Sequence, residues 1–227
     1  AKRISAIARW NTTAELANPS TQLNASDLNV EILAKHRDPV TGKWSEPTVL
    51  ESADAVFDMP FYSFEPTGDE IGISPEIRIR VTNNTSKTLY CALYYMMSNF
   101  GVMNLFREQV GDRDQAKVEE VGPGQTVYAL WGDFITPDVD EGLRNLGLKQ
   151  DVSLLKLLAS TVEFNGASME QEGFDYPQTM RGGLRIKRRG KTTDWTTKLL
   201  TIKSVLTDAG SDERNLAQAG VAISKPR

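Results

Sequence analysis

A strict two-residue alternation at Glu76-Ile77-Arg78-Ile79-Arg80-Val81-Thr82 constrains the fold more than any other feature of this chain. Successive side chains of a strand point to opposite faces, so Ile77, Ile79 and Val81 share one face while Arg78 and Arg80 share the other. The segment predicts a half-buried antiparallel strand with one wetted side.

The next twenty residues extend the pattern. Asn83-Asn84-Thr85-Ser86-Lys87 is a cluster of turn formers, and beyond it stands the aromatic-rich apolar run from Leu89 to Met97. Together they predict a hairpin whose second strand is central in its sheet. Gly101 lets the chain reverse into Val102–Phe106, and Gly122-Pro123-Gly124 is a turn leading into Thr126–Trp131, so the middle of the chain reads as a β-meander.

Further strands are expected at Leu28–Leu33, Ala55–Phe64, Leu154–Val162, Leu184–Lys187 and Thr197–Val205. Helix is scarce: Ile4, Ile7 and Ala8 have helical spacing near the start, and Asp208–Gln218 reads as a short helix or a loose tail. The fold expected is mainly β, an antiparallel β-sandwich of roughly 8–10 strands with a short N-terminal helix. At 227 residues the chain is long enough for one sizeable core. Residues 1–207 are assigned to a single sandwich domain, 1–20 being its lead-in segment, and 208–227 to a flexible C-terminal tail.

Composition narrows the chemistry. The only cysteine, Cys91, rules out an intrachain disulfide and a multi-cysteine zinc site, and the only histidine, His36, removes most metal and general-base arrangements. A nucleophilic thiol needs a base within hydrogen-bond reach, which leaves Cys91 with His36 as the single pair to consider. Cys91 lies in an apolar strand that would hide its sulfur, and His36 sits in the charged stretch Ala34-Lys35-His36-Arg37-Asp38-Pro39, which reads as an exposed loop. No catalytic residue, metal site or cofactor is assigned. A cysteine hydrolase built on these two residues is the weaker alternative.

Other clusters point to surfaces rather than reactions. Asp133–Gly142 concentrates carboxylates but fits no complete calcium-loop pattern, and a solvated acidic loop is the favoured reading. Gly122-Pro123-Gly124-Gln125 lacks the Gly-Lys-Ser/Thr ending of a phosphate loop. The stretch from Arg181 to Lys191 is the one strong basic cluster, and Arg181, Arg185, Lys187, Arg188, Arg189 and Lys191 form a candidate partner-binding hairpin. Trp44, Trp131 and Trp195 are considered as a stacking platform for a sugar or base, with structural packing preferred.

A net charge of -4 offers no global attraction to nucleic acid or anionic lipid. No apolar run reaches the roughly 20 residues that cross a bilayer, and the first residues lack a secretory pattern, so no membrane partner and a cytoplasmic location are expected.

Several segments read together carry a family resemblance: Ile7-Ala8-Arg9-Trp10, Glu15-Leu16-Ala17-Asn18-Pro19-Ser20, the stretch Val81–Leu93, Gly122-Pro123-Gly124-Gln125, the stretch Leu155–Phe164, and Asp194-Trp195-Thr196-Thr197. From about Ile7 to Val205 the chain resembles the non-catalytic C-terminal region behind the peptidase domain of bacterial caspase-like cysteine proteases. The resemblance implies an accessory or regulatory domain whose partner is that peptidase domain, on the same or a cleaved polypeptide. It also implies that the Cys-His chemistry belongs to the peptidase domain, and neither His36 nor Cys91 stands in a matching context. The start at Ala1 and the end at Arg227 are then expected to reflect autoproteolytic excision, with a recombinant origin explaining them equally well. The alternative from a different class is a free-standing carbohydrate or small-ligand binding module with an aromatic platform on one sheet face.

Overall fold

The computed structural model describes residues 2–38, 43–50, 56–64, 71–73, 75–174 and 194–207. Their elements, in chain order, are α1 (Lys2–Glu15), β1 (Leu28–Lys35), β2 (Thr48–Val49), β3 (Val56–Phe64), β4 (Ile71–Ile73), β5 (Glu76–Asn83) and β6 (Leu89–Met96). After these come β7 (Val102–Asn104), β8 (Arg107–Val110), β9 (Arg113–Ala116), β10 (Glu119–Val121), β11 (Thr126–Tyr128), α2 (Glu141–Asn145), β12 (Gln150–Ser160) and β13 (Trp195–Thr207). The chain is mainly β, as its alternation requires.

Two sheets face one another. The smaller has the order β11-β5-β1-β2, and the larger β10-β6-β12-β13-β3-β4, with β7 also paired to β6. β8 and β9 form a separate two-stranded ribbon. Among the described residues every strand pairing is antiparallel except β13 with β3, which runs parallel from Thr201 opposite Val56. β7 and β10 lie end to end along one edge of β6, pairing with Tyr94–Met96 and with Leu89–Cys91 respectively. Between them the buried Asn104 accepts from Leu93 N and Phe106 N and donates to Lys117 O, closing the gap in the ladder.

The inner faces meet in one core. Leu28, Val30, Ile32 and Ala34 of β1 and Ile77, Ile79 and Val81 of β5 pack with Leu89, Cys91 and Leu93 of β6, Leu155, Leu157 and Ala159 of β12, and Leu200 and Ile202 of β13. β6 is apolar on both sides because its other face is covered too: Ala92, Tyr94 and Met96 join Val102 and Leu158 beneath Trp10, Ala14 and Leu16 from α1 and the segment after it. The fold therefore has three layers, helix, large sheet and small sheet.

A buried lysine ties the helix down. Lys156, 4% exposed, sits on β12 and donates from Nζ to Ala14 O at 2.9 Å, in the last turn of α1. Helix C-terminal carbonyls lack intrahelical donors and carry partial negative charge, so a cation there is favourable. Asn18 Nδ2 to Trp195 O and Thr197 Oγ1 to Leu16 O fasten the exit of the helix to β13.

The middle of the chain departs from the meander expected of the sequence. β5 and β6 lie in different sheets, so Asn84–Thr88 is a corner between sheets and not a hairpin loop. Gly122-Pro123-Gly124 makes the return corner, carrying the chain from β10 in the large sheet to β11 in the small one. The two corners are bonded side by side. Asn83 N donates to Gln125 O, Gly124 N donates to Asn83 O, and the fully buried Asn83 side chain donates from Nδ2 to both Lys87 O and Val121 O at 2.8 Å. Its Oδ1 accepts from Thr85 N and Thr85 Oγ1, the turn-setting geometry of a short amide side chain. Alternation fixes which side chains face inward, but a hairpin and a corner satisfy it equally, so it does not distinguish the two pairings.

The strand expected at Thr126–Trp131 stops at Tyr128, and Ala129–Gly132 forms a tight turn instead. The strand expected at Leu184–Lys187 and the tail at 208–227 lie outside the described residues.

Candidate functional site

Cys91 is fully buried in the core between the sheets, and burial, with a lesser contribution from the Glu119 charge, pushes its thiol pKa up to about 12. Desolvation disfavours a thiolate, so at neutral pH this sulfur is a protonated core atom. His36 is exposed beyond the end of β1, where its backbone pairs with Ser45. One group is sealed between sheets and the other faces water, an arrangement unsuited to nucleophile and base.

The acidic segment is spent locally. Asp140 caps α2 by accepting from Gly142 N, and Asp138 accepts from Val139 N. Among the described residues no group of three His, Cys, Asp or Glu side chains is placed to hold a metal ion. Of the tryptophans, Trp195 packs in the cluster under α1, whereas Trp44 and Trp131 are exposed. The basic hairpin of Arg181, Arg185, Lys187, Arg188, Arg189 and Lys191 lies outside the described residues.

The wetted face of the small sheet is the most organised surface. Register sets it up: Glu31 lies opposite Arg80, Lys35 opposite Glu76, and Leu33 opposite Arg78. The first two rows close as ion pairs, Arg80 Nε to Glu31 Oε2 at 2.7 Å and Lys35 Nζ to Glu76 Oε2 at 2.6 Å. The Glu31 bond foremost holds the Arg80 guanidinium even more firmly charged than usual. The row between them cannot close, because a leucine offers Arg78 no acceptor.

Aromatic rings fill that deficit. Arg78 Cζ lies 4.1 Å from the Phe134 ring centroid and 6.0 Å from that of Tyr128. Lys35 Nζ lies 4.1 Å from the Phe134 centroid and 4.6 Å from that of Trp44. The order Trp44, Lys35, Phe134, Arg78, Tyr128 is thus an alternating ladder of rings and cations, each contact of the cation–π kind.

The ladder depends on a strained turn. Tyr128 and Phe134 flank Ala129–Gly132, in which Leu130 (φ 47°, ψ 46°) and Trp131 (φ 55°, ψ 16°) are both left-handed. Each such non-glycine residue costs on the order of 1–2 kcal/mol. The turn is held by Leu130 N donating to Leu105 O and Asp133 N donating to Leu130 O, and the segment beyond it by reciprocal bonds between Ile77 and Ile135. These last bonds set Phe134 beside Arg78, and at the tip Trp131 stands 59% exposed.

The sequence placed Arg78 on a wetted face and Trp131 among the aromatic candidates but missed Tyr128 and Phe134, which it read as strand and acidic loop. Their signal is the short interval between them, and it becomes meaningful only when β11 is seen to pair with β5. Compared with protein-family models, with curated proteins and with solved structures, the chain matches none. No helix among the described residues is long and apolar enough to cross a membrane.

Proposed function

We propose that this chain is a non-catalytic accessory domain that docks on a protein partner and regulates it, using the outer face of the small sheet. The observation that carries the reading is the ring-and-cation ladder: aromatic and arginine side chains, held in fixed geometry on a sheet, are the groups that dominate binding at protein interfaces. The sealed thiol adds support, since the only cysteine is a core atom with its thiolate strongly disfavoured. The resemblance to the region behind the peptidase domain of bacterial caspase-like proteases supplies the partner, namely that peptidase domain, and with it a bacterial setting. Two of the segments that carry the resemblance, Val81–Leu93 and Gly122–Gln125, are the corners bonded through Asn83.

The test is co-purification of the full chain with a caspase-like peptidase domain, then the same measurement with Phe134→Ala and Tyr128→Ala. Binding that both substitutions weaken supports the reading, whereas a monodisperse chain with no affinity for that domain refutes it. A carbohydrate-binding module is the second reading, favoured by the exposure of Trp131, Tyr128 and Trp44. A glycan array that stays silent, with no thermal shift from any sugar, removes it.

A further inference from the structure

We propose that Arg78 is a preformed receptor for a carboxylate side chain, Asp or Glu, presented by the partner protein. The inference rests on reading the chain as an interaction domain and adds the chemistry of what is recognised.

Charge balance on the sheet face leads to it. Lys35 and Arg80 are each neutralised by the carboxylate directly across the strand pair, Glu76 and Glu31. Arg78, between them in register, faces Leu33, and its buried Nε has no hydrogen-bond partner among the described residues. One positive charge is therefore left over among the paired rows of β1 and β5, in a chain with an overall charge of -4. The surplus belongs to the row pattern and not to general basicity.

The guanidinium is also held ready. Phe134 at 4.1 Å and Tyr128 at 6.0 Å bracket Cζ, and Nε is shut off from solvent with no hydrogen-bond acceptor among the described residues. A planar fork already fixed by rings loses little freedom when it takes a carboxylate on its remaining donors. Those rings come from either side of the left-handed turn at Leu130 and Trp131. Backbone strain over-determined by its surroundings clusters at binding positions.

The experiment uses the full chain, isotopically labelled, with hexaglutamate, hexaglutamine and inorganic phosphate as probes. Its readouts are the Arg78 Nε–Hε resonance and the ring resonances of Phe134 and Tyr128. Hexaglutamate is expected to shift all three at low salt, with hexaglutamine and phosphate leaving them in place. Arg78→Gln should weaken binding about tenfold, the value of one charge-assisted hydrogen bond. Arg78→Lys, which keeps the charge without the fork, should fall between. Arg113→Gln, on the β8–β9 ribbon, serves as a control and should leave affinity unchanged. Each variant's backbone spectrum establishes that it is folded.

Unshifted resonances at millimolar hexaglutamate overturn the proposal, as does equal binding by folded Arg78→Gln or an equal response to phosphate. A chain that holds the peptidase domain equally well with and without Arg78→Gln loses this proposal alone and keeps its role as an interaction domain.

Discussion

Asn83 Nδ2 donates a hydrogen bond to the carbonyl of Val121 at 2.8 Å, and this contact ties the corner between β5 and β6 to the corner between β10 and β11. Both chain crossings between the sheets near this point are thereby held by one residue, whose backbone also donates to Gln125 O and accepts from Gly124 N. A second donation to Lys87 O and two bonds accepted from Thr85 use the rest of its capacity.

Replacing Asn83 with Ala should consequently be costly. It removes the donor to the buried Val121 carbonyl and strips the Thr85 turn of its acceptor, and we expect a loss of about 3 kcal/mol in urea unfolding. Asn83→Asp should lose a similar amount at pH 7, because a carboxylate cannot donate, and should recover part of it as the pH falls and the acid becomes a donor. A loss below about 1 kcal/mol for both would show that water replaces the amide at the corner.

Cys91 gives a pH-dependent prediction whose sign comes from linkage. Burial raises its pKa to about 12 in the folded chain, so its contribution to stability is full below the unfolded thiol's pKa near 8.5 and is lost as pH rises toward 12. Between those limits the wild type should lose about 1.4 kcal/mol per pH unit relative to Cys91→Ala. The folded protein should also resist a thiol reagent at pH 8 for as long as it stays folded. Rapid stoichiometric labelling under native conditions would contradict the sealed core.

Lys156 should act in the opposite direction. Burial lowers its pKa, so between that lowered value and the unfolded value near 10.4 the unfolded chain binds more protons, and stability rises with pH. Lys156→Met should abolish this rise. At neutral pH the substitution removes a buried charge as well as a bond to Ala14 O, so we expect stability within about 1 kcal/mol of wild type. Denaturation series for Cys91→Ala and Lys156→Met separate the two alkaline effects. A drop of several kcal/mol for Lys156→Met would assign the helix anchor far more weight than the geometry gives it.

Trp131 is a position where glycine should be tolerated. Its φ of 55° is strained for any residue with a Cβ, and its side chain is mostly in water. Relief of strain exceeds the added unfolded-state entropy, so Trp131→Gly should leave stability unchanged or raise it by up to about 1 kcal/mol. The same variant should bind the partner less well if the exposed indole takes part. Destabilisation by more than about 1 kcal/mol would mean that the indole packs against the fold.

The residues determined a good deal on their own. Alternation in Glu76–Thr82 fixed which side of β5 is buried, the two-sided apolar run at Leu89–Met97 marked an interior strand, and the spacing of Ile4, Ile7 and Ala8 marked a helix, all because these are one-strand or one-helix properties. Pairing is a property of two segments. Only the tertiary structure decided that Asn84–Thr88 turns between sheets, that β13 runs parallel to β3, and that Arg78 stands opposite Leu33 while its neighbours stand opposite carboxylates. A shift of two residues along β1 would preserve every inward side chain and yet rearrange every charge pair on the wetted face. Hydrophobic periodicity is therefore blind to the ladder, and register, fixed by the corners and by the strained turn at Leu130–Trp131, creates it.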